Sequence, residues 1–128
     1  MKVACNGKDL CDAVTRVIKA VPARSTNAVL EGIKLTADDG TLTLTATDIE
    51  LSIEHMIVAE VAERGETVVP GKLFGDFVKK LSSQTIVLTA NGSRLKIDYE
   101  RSEGEFGCYT ADQYPEVNRI EDTQHAIA

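Results

Sequence analysis

The chain has 128 residues and a net charge of −6, which indicates one acidic domain that needs no disulfide or metal in order to fold. Its three cysteines lack CxxC spacing, and no long apolar run is present, so we expect a reducing compartment, no signal peptide and no membrane span. The acidic balance argues against nucleic acid as a ligand, although net charge hides how the charges are distributed.

A short strand at residues 2–5 precedes the first predicted helix. Asn6 has the residue type of a helix N-cap, and Asp9, three residues later, completes an arrangement like a capping box. The helix is expected to run to about Ala20, because Pro22 stops it. Its apolar residues recur at helical spacing and form one stripe: Leu10, Val14, Val17, Ile18 and Val21. Its charged residues point the other way: Lys8, Asp12, Arg16 and Lys19.

Alternation of apolar and polar residues then predicts strands at residues 28–37, 41–47 and 50–61. The sequence Asp38-Asp39-Gly40 predicts a hairpin between the first two. The third strand is predicted to be long and unbroken, with one apolar face: Leu51, Ile53, Ile57, Ala59 and Val61. Each strand therefore has one buried and one wet face, and the helices supply apolar stripes that need such a face.

The same order of elements recurs in the second half. A strand at residues 66–69 leads to Pro70, which is well placed to open a helix. The apolar stripe of this helix is predicted to be Leu73, Phe74, Phe77, Val78 and Leu81. Strands at residues 85–90 and 94–99 are joined at Asn91-Gly92, and a last strand at residues 105–110 places Phe106, Cys108 and Thr110 on one face. The chain is thus predicted to be α+β, with two β-α-β-β-β units and two helices on one side of the sheets.

The charges divide between the predicted helices and the predicted strands. Residues 7–24 hold four basic and two acidic residues, and residues 70–82 hold three basic and one acidic, so each balance is +2. The rest of the chain holds seven basic and 17 acidic residues, a balance of −10. The basic helices are either ordinary solvated surfaces, with Lys79 and Lys80 favoured by the helix dipole, or a surface that contacts phosphates. A handful of phosphate contacts gives a non-specific Kd of roughly 10⁻⁴–10⁻⁶ M, so something besides local affinity would have to hold DNA.

Three segments carry a resemblance to a known family: GTLTLTATDIE at residues 40–50, TVVPGKLFGDFVKKL at 67–81 and FGCYTADQYP at 106–115. Over nearly its whole length the chain resembles the first domain of the bacterial sliding clamp, the beta subunit of DNA polymerase III. The resemblance implies the DNA-clamp fold. The clamp is a ring of two protomers with three similar domains each, whose helices line the hole and whose sheets form the outer shell.

The resemblance also implies a function. The ring encircles duplex DNA in the bacterial cytoplasm and tethers the replicative polymerase, without catalytic residues, a metal or another cofactor. Residues 1–118 would form the first domain, and residues 119–128 would begin the linker into an absent second domain. The groove that captures polymerase and clamp-loader peptides belongs to the second and third domains, so it would lie outside this chain.

Carried over by position, the resemblance implies two sets of site residues. Arg24, in the loop after the first helix, and Lys72, at the start of the second, would face DNA, with Lys19 and Lys79 as further DNA-binding candidates. Phe106 and Cys108 would meet the partner protomer, with help from Phe77, Leu81 and Lys96, although Phe77 and Leu81 fit a plain core role at least as well. Glu103 and Glu105 are acidic where family members often carry basic residues, which leaves the sign of the interface ion pairs open.

Two alternatives remain open from the sequence. One is a stand-alone interaction module that pairs through an open edge strand at residues 105–110. The other is a small hydrolase that uses Cys5, Cys11 or His55. His55 falls on an apolar face and fits a partly buried histidine better, and His125 lies in the tail. The histidines and cysteines make no zinc pattern, and neither a phosphate loop nor a nucleophile elbow is present.

Overall fold

A computed structural model describes residues 1–22, 28–48, 51–80, 85–99, 102–109 and Tyr114. The chain is α+β, as predicted, and its described residues form two helices, nine strands and two short 3₁₀ turns. In chain order they are β1 (Lys2–Asn6), α1 (Gly7–Val17), a 3₁₀ turn (Ile18–Ala20), a second 3₁₀ turn (Ala28–Glu31), β2 (Gly32–Asp38), β3 (Thr41–Thr47), β4 (Ser52–Val58), β5 (Glu60–Glu63), β6 (Gly65–Pro70), α2 (Gly71–Val78), β7 (Thr85–Asn91), β8 (Arg94–Tyr99) and β9 (Ser102–Gly107).

The strands form two antiparallel sheets that interlock the two predicted units. The five-stranded sheet has the order β5-β1-β7-β8-β9, and the four-stranded sheet has the order β4-β3-β2-β6. The opening strand of each unit has therefore crossed to the other unit: β1 pairs with β7, and β6 pairs with β2. Because each unit supplies a strand to the other's sheet, neither unit completes a sheet alone.

The long strand predicted at residues 50–61 is wrong, because the chain changes sheet within it. β4 pairs with β3 in unbroken register, from Thr47 opposite Ser52 to Thr41 opposite Val58. Ala59 then donates its N–H to Gly40 O at 3.0 Å, and β5 joins β1 in the other sheet. The alternation of apolar residues runs through this corner without a break, so the sequence pattern does not show it.

Leu51 was also placed wrongly on the apolar face of that strand. It precedes β4 and is 48% exposed. Its N–H donates to the Asp48 carboxylate at 2.6 Å and its carbonyl accepts from Asp48 N–H at 3.0 Å, which makes it part of a tight turn. His55 is half-buried on β4, opposite Leu44, in agreement with the prediction of a partly buried histidine.

The two helices lie side by side and bury one face each. Asn6 caps α1 as predicted, since its side-chain oxygen accepts from Lys8 N at 2.9 Å and Asp9 N at 3.1 Å. The helices approach closely at Gly75, where an added Cβ would lie 3.1 Å from Ile18 Cδ1 and 3.4 Å from Val14 Cγ1. The buried residues of α1 are Gly7, Leu10, Ala13, Val14 and Val17, and those of α2 are Gly71, Phe74, Gly75 and Val78.

The predicted bounds and stripe of the second helix need correction. α2 begins after Pro70, which is still the last residue of β6, and ends at Val78. Leu73 is 62% exposed rather than buried, because Phe74 and Val78 face the core together with two glycines. A glycine carries no apolar side chain, so a hydrophobicity pattern gives its burial no weight. Leu81 lies outside the described residues.

Three other bounds differ from the prediction. α1 ends at Val17 and continues as a 3₁₀ turn, and the strand predicted from residue 28 begins at Gly32 after another 3₁₀ turn. The last strand is Ser102–Gly107 rather than residues 105–110. None of the helices in the described ranges is both long and apolar enough to cross a bilayer.

Tyr114 closes a second, smaller apolar cluster with Val29 and Val68. Its hydroxyl accepts from Thr47 N–H at 3.1 Å and lies 3.4 Å from Gly32 O. Burial raises the pKa of Tyr114 to about 12. Tyr114 therefore fastens the chain after β9 to the four-stranded sheet, and the sequence analysis assigned no such role to this residue.

Candidate nucleic-acid interface and partner edge

The helical side of the molecule carries exposed cations that form no ion pair with a described carboxylate. They lie opposite the buried stripes of α1 and α2, because a residue three or four positions from another shares its face. Within the described ranges, no ion pair joins any of them to an aspartate or glutamate. The six residues are Lys8, Arg16, Lys19, Lys72, Lys79 and Lys80.

On the strands, by contrast, basic side chains are mostly paired. Lys34 Nζ lies 3.4 Å from Glu66, and Arg64 lies 3.3 Å from Asp38. Arg94 and Lys96 of β8 lie 3.2 Å and 3.4 Å from Glu105 and Glu103 of β9. Such surface pairs add little stability, but they neutralise the cations locally. Attraction for an external anion is therefore concentrated on the helical side.

The predicted DNA-facing residues fall on that side where the structure describes them. Lys72 is exposed in the first turn of α2, and Lys79 is exposed at its C-cap, seven residues later and therefore on the same side of the helix axis. Lys19 is exposed next to Ile18, the residue that touches Gly75 of α2. The close packing of the helices thus places these cations on neighbouring elements. Arg24 lies outside the described residues.

Two of the residues predicted to meet a partner protomer, Phe106 and Phe77, are brought together beneath β9. Phe106 is half-buried and makes edge-to-face contacts with Phe74, at a centroid distance of 6.0 Å, and with Phe77, at 5.5 Å. Phe77 also packs on Tyr99 at 5.4 Å. Phe106 and Phe77 therefore pack partly on the core and partly beneath the edge strand β9.

Cys108 and Lys96 have other surroundings. Cys108 follows β9, is buried, and accepts a hydrogen bond from Thr67 Oγ1 at 3.1 Å. Lys96 is exposed on β8, where the hydrogen bond that it donates to Glu103, followed by the nearby Asp98, raises its pKa. Glu103 and Glu105, whose negative charge left open the sign of the ion pairs across the interface, each form an ion pair within the chain.

Gly104 is a residue of this edge that the sequence analysis missed. A Cβ at Gly104 would lie 2.9 Å from the Phe77 ring, so the missing side chain lets the ring lie directly under the strand. The sequence did contain a clue, a glycine between two glutamates in a strand, since an isolated glycine in a strand often marks a close approach.

Two observations bear on whether the cysteines and carboxylates could serve catalysis or bind a metal. Burial, and secondarily the Asp9 carboxylate, raises the pKa of Cys5 to about 12, which keeps this thiol protonated and poorly nucleophilic. In the described part of the chain, no three His, Cys, Asp or Glu side chains are grouped to hold a metal ion. These observations weigh against the hydrolase alternative.

Comparison with known proteins gives the family. The sequence profile of the DNA polymerase III beta subunit, N-terminal domain, matches residues 1–118. The chain belongs to this family. It is 31% identical over 130 residues to the beta sliding clamp of Synechococcus elongatus, covering 99% of this chain and 34% of that protein. It is 32% identical over 136 residues to the beta sliding clamp of Bacillus subtilis, covering 99% and 36%.

Solved clamp structures share the fold. The DNA polymerase sliding clamp from Caulobacter crescentus superposes with a TM-score of 0.87 at 26% identity, covering 92% of this chain and 33% of that one. The chain therefore spans about a third of the length of the clamps that it matches. Membership of the clamp family favours the clamp interpretation over the stand-alone interaction module.

Proposed function

We propose that residues 1–118 are the first domain of a ring-shaped sliding clamp that encircles duplex DNA and tethers the replicative polymerase. Residues 119–128 then begin the linker into a second domain. The observation that carries this proposal, beside family membership, is the contrast between unpaired cations on the helices and paired cations on the strands. A ring with its helices inward would turn this group of unpaired described cations toward the phosphates.

Weak contacts suit such a ring. Lys19, Lys72, Lys79 and the loop residue Arg24 would touch phosphates without reading bases, so binding would not depend on sequence. A few contacts of this kind are too weak to hold DNA, and closure of the ring supplies the retention. The clamp can then slide, while the acidic strand side repels DNA from the outer shell. No residue of the domain acts in catalysis, and no cofactor is required.

The partners follow from the same arrangement. A second protomer would close the ring against β9, with Phe106, Phe77 and Lys96 at or under the contact and Cys108 and Leu81 near it. Polymerase and clamp loader would bind domains that lie beyond residues 1–128. The setting for this activity is the bacterial cytoplasm, at the nucleoid during replication.

The test is retention of the longer clamp on closed circular DNA and on the same DNA after linearisation. We expect the protein to stay on the circle and to be lost from the linear form, because it can slide off an end. The Arg24→Ala variant should be lost from the circle several-fold faster, since a phosphate-facing cation is removed. Equal retention on circular and linear DNA would contradict a topological clamp.

A further inference from the structure

The dipeptide Asn-Gly occurs twice in the chain, at Asn6-Gly7 and at Asn91-Gly92. Such a dipeptide can react internally, because the glycine carries no side chain to hinder attack by its nitrogen on the asparagine Cγ. A bond from the nitrogen to Cγ forms, the Cγ–Nδ2 bond breaks, and the amide group leaves as ammonia with the proton that the nitrogen gives up. The succinimide ring then takes up solvent water and opens to aspartate or isoaspartate.

The first of the two dipeptides is held by the fold. The Asn6 side-chain oxygen accepts hydrogen bonds from Lys8 N at 2.9 Å and Asp9 N at 3.1 Å, as the cap of α1. Gly7 is buried as the first residue of that helix, and Asn6 also stands opposite Thr85 in the pairing of β1 with β7. Ring closure at Asn6 would therefore require the cap to break and the start of α1 to unfold.

The second dipeptide lies at the tip of the β7–β8 hairpin and has no such restraint. Asn91 is exposed, and its side chain makes none of the hydrogen bonds found among the described residues. Gly92, with a φ of +59°, suits the first position of the two-residue turn, so the Asn91 side chain is not needed to form it. A Cβ at Gly92 would meet nothing within 4 Å. Only the terminal pair, Asn91 with Arg94, has to open for the ring to close, and ends of elements open most readily.

We propose that Asn91 is a site of spontaneous deamidation and isoaspartate formation in the folded protein, and that the helix cap protects Asn6 from the same reaction. The new carboxylate would lie beside Arg94, which Glu105 holds at 3.2 Å. Isoaspartate also adds a methylene to the backbone, so the pairing of β7 with β8 would be lost at this position. The proposal goes beyond the proposed function and does not depend on it.

The modification would reach the chain that leaves β9. Ser93, in the same turn, accepts a hydrogen bond from Cys108 N at 2.7 Å through its carbonyl oxygen. A lengthened backbone at position 91 would displace that carbonyl. The hairpin tip would then hold the residue after β9 less firmly.

The test is incubation of the 128-residue chain in mildly alkaline buffer, folded and in urea, followed by peptide mapping with mass spectrometry. In urea the two dipeptides should react at similar rates, because neither the cap nor the hairpin remains. In the folded protein we expect Asn6 to react about tenfold more slowly than Asn91, because the cap must open first. Labelling by an isoaspartyl methyltransferase gives a second readout of the product at position 91.

A variant controls for reaction elsewhere in the chain. Asn91→Gln keeps the amide but has a longer side chain that closes a ring with Gly92 much more slowly. It should remove the deamidated product from the peptide that contains residue 91 and leave the peptide that contains Asn6 unchanged. Equal rates at Asn6 and Asn91 in the folded protein would overturn protection by the cap. Reaction of Asn91 in urea but not in the folded protein would overturn the site itself.

Discussion

The helical side and the strand side of this domain carry similar numbers of described cations, but they differ in how many of these cations form ion pairs. Lys72 and Lys79 on α2 have no acidic partner in the described residues, whereas Arg94 and Lys96 on β8 are each held by a glutamate of β9. Net charge alone gives an acidic protein that should avoid DNA. The difference teaches that the pairing and placement of cations decide which surface attracts an anion. On the strand side, Arg94 and Lys96 are occupied by ion pairs within the chain.

The largest effect is expected from Phe74, the aromatic residue of α2 on which Phe106 packs from the strand side. Phe74→Ala should lower the free energy of unfolding by about 3–5 kcal/mol, because it leaves a cavity between the helices and β9. The neighbouring Leu73→Ala is the control and should change stability by no more than about 0.5 kcal/mol, since Leu73 is exposed. Chemical denaturation measures both, and equal losses would show that the two residues do not face opposite ways.

Next comes the loss of stability in alkaline solution to which Cys5 of β1 contributes. Its thiol ionises near 9.0 when unfolded and only at about 12 when folded. Below pH 9 both states are protonated and this contribution is fully present. Between pH 9 and 12 the unfolded state loses the proton first, so stability should fall by up to about 1.4 kcal/mol per pH unit. In denaturation at pH 8 to 10.5, Cys5→Ala should reduce this slope, whereas Cys11→Ala should retain it; identical slopes for all three proteins would contradict the account.

A smaller loss is expected at the fastening of the segment after β9 to the strand side. Tyr114→Phe keeps the ring but removes the hydroxyl that accepts from Thr47 N–H and lies near Gly32 O. Leaving those buried main-chain groups without this partner should cost about 1–2 kcal/mol in the free energy of unfolding. Tyr109→Phe, at a more exposed tyrosine, is the matched control. A Tyr114→Phe protein as stable as the wild type would show that these hydrogen bonds contribute nothing net.

The smallest effect on stability is expected from the surface cations themselves. The double variant Lys72→Gln with Lys79→Gln and the single variant Lys34→Gln should each change the free energy of unfolding by no more than about 0.5 kcal/mol. They should separate in DNA binding, because only the helical pair lacks internal partners. If Lys34→Gln weakened binding to duplex DNA as much as the helical variant, the distinction between the two sides would be lost.

Local chemistry made much of the fold predictable from the sequence. The cap by Asn6, the hairpin at Asp39 and Gly40 and the alternating strands depend on neighbours in the chain, so their residue types were sufficient. The change of sheet at Ala59 was not predictable, because every second residue stays on the apolar face from β4 through Ala59 into β5. Nor was the burial of Tyr114, which depends on contacts more than sixty residues away along the chain.

The candidate site was predictable to a similar degree. Helical spacing was sufficient to place Lys19 away from the apolar stripe of the first helix, whereas Lys72 and Lys79 were chosen from the family resemblance. Pattern alone could not show that Glu103 and Glu105 hold Lys96 and Arg94, because those pairs arise from the diagonal geometry of two neighbouring strands. The exposure of Leu73 was missed because two glycines, rather than apolar side chains, complete the buried face of α2.

The most direct test of the two-sided account is NMR titration of the 128-residue chain with a short DNA duplex. We predict weak binding whose amide perturbations fall on α1 and α2, around Arg16, Lys72 and Lys79, and disappear between about 50 and about 200 mM salt. The amides around Lys34 and Arg94 should not respond. Perturbations centred on the strands, or tight binding that survives high salt, would contradict the claim that the helical side faces DNA.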